Sequence, residues 1–165
     1  MRLSDLADLP FTYSEIGATR GPLPVGYHHV RETAPIGHGR DRFEAAGDAV
    51  LRWGMLRGAG ARVRATSEVA CVGAEVIVGL GPVSAPCRLV YVLDEPDRRG
   101  FAYGTLRGHA ETGEELFAVR YDPVDGAVYA EVTAFSRHGT WWSRLAGPVT
   151  SLIRGWMSRR YVRAV

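Results

Sequence analysis

A chain of 165 residues, 46% hydrophobic and 23% charged, has the make-up of one globular domain able to bury roughly 70% of its unfolded surface. Twenty basic residues against 18 acidic ones leave a net charge of +2, too small an excess to imply nucleic acid. All the basic residues are arginine, and lysine, asparagine and glutamine are absent. This is the mark of a GC-rich genome, and it leaves no side chain able to form a Schiff base.

Residues 3–9 are expected to form a helical turn or two ended by Pro10, and 17–26, rich in Gly and Pro, to form a loop. Tyr27–Ile36 reads as a first strand, closed by Gly37-His38-Gly39. A helix should follow from about Arg40 to Arg57, because Phe43, Ala46, Val50 and Trp53 recur at spacings of three and four. Gly58-Ala59-Gly60 stops it.

Six strand-like segments come next: 62–66, 74–80, 86–93, 100–106, 114–121 and 127–136. Pro96 suits a type I turn and Asp125-Gly126 a hairpin. Connections this short make neighbouring strands antiparallel, since a parallel return needs about a dozen residues. Trp142, Leu145, Val149, Leu152, Ile153, Trp156 and Tyr161 then stripe one side of a helix spanning Thr140–Arg163, kinked at Gly147-Pro148. Consecutive hairpins curl, and a long amphipathic helix is the natural plug. The expected fold class is therefore α+β, a curved antiparallel sheet of about seven strands wrapped around the C-terminal helix. Residues 1–165 form a single domain, with 1–26 an extension and 27–163 the core.

Strand, helix, six strands and a long terminal helix resemble the helix-grip fold of the START and Bet v 1-like superfamily. More specifically, the chain is similar to uncharacterised protein family 0548 of bacteria and plants. The segments that carry this likeness are Pro10-Phe11-Thr12-Tyr13, Gly26-Tyr27-His28-His29, Ile36-Gly37-His38-Gly39 and Phe101-Ala102-Tyr103-Gly104-Thr105-Leu106. Gly108-His109, Gly113-Glu114-Glu115 and Phe135-Ser136-Arg137 add to it. The superfamily likeness implies a cavity between helix and sheet, in which many members hold lipids, sterols or polyketides and some catalyse a reaction.

The densest polar cluster is Tyr103, Thr105, His109, Glu111, Glu114 and Glu115 around one strand connection. Alternation on a strand puts Glu114 and Glu115 on opposite faces. His109, Glu111 and Glu114 are the candidates for acid–base chemistry, against the plainer reading of a solvated hairpin tip. Adjacent His28 and His29 point to opposite sides and do not chelate one metal as a pair. Glycines around His38, with Arg40 and Arg42, suggest an anion nest or simply a tight turn into a helix. Cys71 and Cys87 have no zinc-cluster spacing and are expected to be reduced core thiols.

No G-x-S-x-G, H-E-x-x-H or C-x-x-C occurs, so the familiar hydrolase, zinc-protease and thiol-redox chemistries are unsupported; neither a metal nor a cofactor is expected. The leading expectation is a binding domain for a small apolar or amphiphilic molecule, walled by Tyr91, Phe101, Tyr103, Val149 and Trp156. An enzyme using His109 and a nearby Glu in the same cavity is the alternative, and an interaction module with a filled core is a third. Asp5 and Asp8 sit where a signal peptide needs apolar residues, and Val76–Val83 is far too short to span a bilayer. A cytoplasmic protein is expected, without nucleic-acid or membrane partners and with its oligomeric state open.

Overall fold

The computed structural model describes residues 1–138. Seven strands form one sheet in the order β1-β7-β6-β5-β4-β3-β2, with every ladder antiparallel. They are β1 (His28–His38), β2 (Arg62–Ala65), β3 (Glu75–Leu80), β4 (Val83–Glu95), β5 (Arg98–Thr105), β6 (Glu111–Tyr121) and β7 (Ala127–His138). Strands β2 to β7 follow one another as hairpins, as their short connections require. The first strand instead crosses to the far edge and pairs with the last, Val30 opposite Ala134. The expected helix over 140–163, with Val149 and Trp156, lies outside the described residues.

Two helices, α1 (Arg40–Leu51) and α2 (Gly54–Gly58), link β1 to β2 and lie on one face of the sheet. Phe43, Ala46 and Val50 of α1 join Phe101, Phe117, Val119 and Val132 in the main core. We call this the helix face. The single helix expected over 40–57 is in fact broken after Leu51, and Trp53 adopts the left-handed conformation (φ 68°). Its indole is fully buried, stacks edge-on against Phe101 at 5.0 Å and donates from Nε1 to the Ser67 carbonyl. The helical spacing that places Trp53 on the apolar side is thus satisfied by a turn, because burying the ring outweighs the roughly 1–2 kcal/mol cost of a left-handed residue. Gly54 is required next, since a Cβ there would collide with the Ala49 carbonyl. Trp53→Ala is expected to cost about 3–5 kcal/mol in urea unfolding, the range for emptying a buried aromatic site.

The opposite face of the sheet is covered by residues 1–20, and we call it the N-terminal face. Leu6 packs with Ile77 and Leu106. Phe11 bridges to Leu106, and the Thr12 amide donates to the Thr105 carbonyl. Arg88 clamps the same segment through the carbonyls of Leu6, Ala7 and Leu9, while pairing with Glu75 at 2.9 Å. In place of the helical turns expected over 3–9 there is one 3-10 turn, Leu3–Asp5.

Strand limits move where backbone irregularities allow it. β1 runs on through Gly37 to His38 by way of a bulge after Pro35. A second bulge between Leu89 and Tyr91 turns Tyr91 to the N-terminal face. A bulge inserts one residue, so the alternation after it inverts. Cys71 lies exposed in the loop before β3 and not in a strand, whereas Cys87 is buried in β4. Among the described residues no helix is long and apolar enough to cross a membrane.

Candidate functional site

The β5–β6 connection divides the predicted polar cluster between the two faces of the sheet. Tyr103 pairs opposite Glu115, and Gly104 opposite Glu114. Period-two alternation therefore sends Tyr103 and Glu115 to the helix face and Glu114 to the N-terminal face. The solvated hairpin tip is not what forms, because Glu114 is only 2% exposed.

On the N-terminal face Glu114 is the hub of a closed hydrogen-bond set. The Tyr13 hydroxyl and the Gly17 amide donate to Oε2 at 2.8 and 2.7 Å. The Thr19 amide donates to Oε1 at 3.0 Å, and the Thr19 hydroxyl donates to the same oxygen. That hydroxyl has spent its proton, so the Tyr91 hydroxyl, 2.7 Å away, donates to it. Burial raises the Tyr13 and Tyr91 phenols above their ordinary range, and the Glu114 charge adds to both. The stretch expected as plain loop contains the 3-10 turn Ala18–Arg20, which delivers Thr19 to the carboxylate.

Glycine makes this approach feasible. A Cβ on Gly104 would strike the Tyr13 hydroxyl, and one on Gly113 would strike the Phe135 carbonyl. Phe135 in turn takes the edges of Tyr13 and Tyr27 at 5.6 and 5.0 Å, and Arg137 lies over Tyr27. A sequence signal for the hub existed: two glycines flanking a carboxylate across a strand pair. Its partners, about 95 residues away, were not legible.

The helix face carries the second half. At the β5–β6 end, beyond the reach of α1, the structure forms a concavity of about 60 Å³. Val30, Ala134, Tyr103, Glu115, His109 and Glu111 are among its described lining. The Tyr103 hydroxyl donates to Glu115 Oε2 at 3.0 Å. His109 Nδ1 lies 2.9 Å from the Glu111 amide and 3.0 Å from the Glu111 carbonyl, so the ring tautomer decides which of the two it bonds. Burial pushes His109 down to about 4, and the ring is neutral near pH 7.

The candidate acid–base groups His109, Glu111 and Glu114 all line this concavity, and the Glu114 carboxylate oxygens are engaged by the hub. Glu115 lines the same concavity. The expected wall is divided. Tyr91 faces the N-terminal side, where Arg20 stacks on its ring at 4.0 Å, so it shares no wall with Phe101 and Tyr103. Phe101 is fully buried between Trp53, Phe117 and Tyr103.

The glycines around His38 form no anion nest. The Gly39 amide donates to the Gly126 carbonyl, Arg42 bonds the Ile36 carbonyl, and Arg40 binds the Pro96 carbonyl and Asp97. His29 Nε2 meets the Pro24 carbonyl at 2.8 Å. Among the described residues no three His, Cys, Asp or Glu side chains are grouped to hold a metal ion.

A seven-stranded antiparallel sheet with two short helices on one face between its first and second strands resembles Bet v 1-like folds. The solved structure of a hypothetical protein from Helicobacter pylori is similar at a TM-score of 0.60 and 8% identity, covering 82% of this chain and 86% of that one. Major latex-like protein 151 of Panax ginseng is similar at a TM-score of 0.53 and 14% identity, over 84% and 96%. The family described as "Domain of unknown function (DUF1990)" matches residues 12–164, and the chain belongs to it. A UPF0548 protein of Deinococcus radiodurans is 45% identical over 76 residues, which make up 46% of this chain and 38% of that protein. The chain therefore spans well under half the length of that relative.

Proposed function

We infer that the protein is a binding domain for a small apolar or amphiphilic molecule, held on the helix face of the sheet and covered by the amphipathic segment Thr140–Arg163. The observation that carries this reading is the concavity at the β5–β6 end of the sheet. An apolar wall of Val30 and Ala134 meets the polar group of Tyr103, Glu115 and His109 there. Apolar walls with a few convergent polar groups are what small-molecule sites are made of. A space of about 60 Å³ is that of roughly two waters. It takes one end of a ligand, and the remainder lies between the sheet and the terminal segment, where Val149 and Trp156 are the expected contacts.

Native mass spectrometry of gently purified protein tests the reading, followed by titration with a panel of lipids and polyketides. A mass increment lost on denaturation, or saturable binding of a panel member, is the expected result. A clean apo mass with no binding across the panel overturns it.

A further inference from the structure

We propose that the N-terminal face carries an anion site at the edge strand β2, built to take a phosphate monoester group. It lies on the other face of the sheet from the concavity at the β5–β6 end and does not depend on the binding-domain reading. Arg62 and Arg64 stand two residues apart on β2 and so project to one side. Their partners across the β2–β3 ladder are Gly79 and Ile77, and Ile77 packs with Leu6 on the N-terminal face. Gly79 is in turn opposite Ser84 of β4. Arg62, Arg64, Ile77, Gly79 and Ser84 line a concavity of about 370 Å³, a volume in the usual range of small-molecule sites.

The positive charge in this concavity is not compensated by the protein. Among the described residues no carboxylate pairs with Arg62 or Arg64, whereas Arg88, on the same face, has Glu75 at 2.9 Å. Each guanidinium is nonetheless anchored. Arg62 donates to the Gly81 carbonyl at 2.7 Å and Arg64 to the Met1 carbonyl at 3.2 Å. One terminal nitrogen of each is used in this way, and the other N–H groups of the fork are left to a ligand. Gly79 brings no side chain to fill the floor, where a Cβ would stand 3.6 Å from the Arg62 stem. A phosphate monoester offers three terminal oxygens and up to two charges, enough for two planar forks and the Ser84 hydroxyl together. A carboxylate offers one charge and two oxygens, and leaves part of this donor set unmet.

Phenyl phosphate and benzoate share a ring and differ in head group, and both are titrated calorimetrically into the full chain at pH 7. Saturable binding of phenyl phosphate, about tenfold tighter than benzoate, is the expected result, the size of one further charge-assisted hydrogen bond. Arg62→Ala and Arg64→Ala should each weaken it about tenfold. Arg31→Ala, on β1 at the opposite edge of the sheet, should leave it unchanged. A second arm reads the source of the phosphate, by flotation with phosphatidylcholine vesicles with and without phosphatidic acid. Phenyl phosphate bound in solution with no flotation assigns the site to a soluble phosphorylated molecule. Flotation that needs phosphatidic acid, Arg62 and Arg64 assigns it to a lipid headgroup. Binding of neither phenyl phosphate nor phosphatidic acid vesicles overturns the proposal, as does benzoate binding as tightly as phenyl phosphate. An equal loss in Arg31→Ala also overturns it, since diffuse charge would then be the cause. Both arginines are exposed on an edge strand, so their variants should fold, and the head-group comparison on the unaltered chain decides the matter without them.

Discussion

Glu114→Ala is expected to destabilise the protein by about 4 kcal/mol, from the 1–3 kcal/mol typical of each buried group left unpaired, reduced by partial relaxation. The carboxylate receives four donors: the Tyr13 hydroxyl, the Gly17 and Thr19 amides and the Thr19 hydroxyl. Removing it leaves all of them without this acceptor in a largely buried site. Such a loss is a large part of the 5–15 kcal/mol that holds a domain of this size together. Glu114→Gln should cost less, about 2–3 kcal/mol, because its amide oxygen still accepts while its NH2 faces donors. The damage is also local in a readable way, since the hub ties residues 13–19 to the middle of the sheet. Urea unfolding gives the energy, and hydrogen exchange at the Gly17 and Thr19 amides gives the location. A loss below 1 kcal/mol with both amides still protected would show that Leu6, Phe11 and Arg88 hold the segment without the carboxylate.

Stability should fall as the pH drops from about 6.5 to about 4, and His109 is the reason. Its pKa is 6.5 in the unfolded chain and is pushed down to about 4 in the fold, chiefly by burial. Between those values the unfolded chain binds a proton that the native state refuses. Linkage then makes stability rise with pH through this window, be fully present above 6.5 and be lost on acidification. The contribution is about 2 kcal/mol, somewhat less than the full shift implies because the ring is only half-buried. His109→Gln removes the titration while keeping a side chain that can accept the Glu111 amide. The difference between the two unfolding free energies, measured from pH 7 to pH 4, isolates the histidine from the carboxylates that titrate at the lower end. Parallel profiles for the two proteins would mean that the ring protonates freely in the fold.

Much of the architecture was legible in the sequence because it follows from local rules. The six consecutive strands and their antiparallel order come from alternation, turn residues and short connections, which act over a few residues. The opposite facing of Glu114 and Glu115 comes from the strand period alone. Boundaries were missed where one residue breaks the local rule: the bulge after Pro35 carries β1 through Gly37, and Trp53 turns left-handed to bury its ring. In both cases a tertiary contact outweighs the local preference.

The candidate site lay further from reach. Which face of each strand looks toward the helices depends on where α1 packs, so the sequence could put Glu114 and Glu115 on opposite faces but could not say what covers either. The bulge between Leu89 and Tyr91 inverts the alternation, and it put Tyr91 on the side away from Tyr103. Glu114 and Tyr13 stand 101 residues apart. Their bond exists only because a loop with little pattern of its own lies over a strand pair that two glycines keep open. Period and turn chemistry alone thus determined the strands, their order and the pairs that share a side. Tertiary packing decided which carboxylate is buried as a clasp, because burial depends on what lies across the sheet and not on neighbours in the chain.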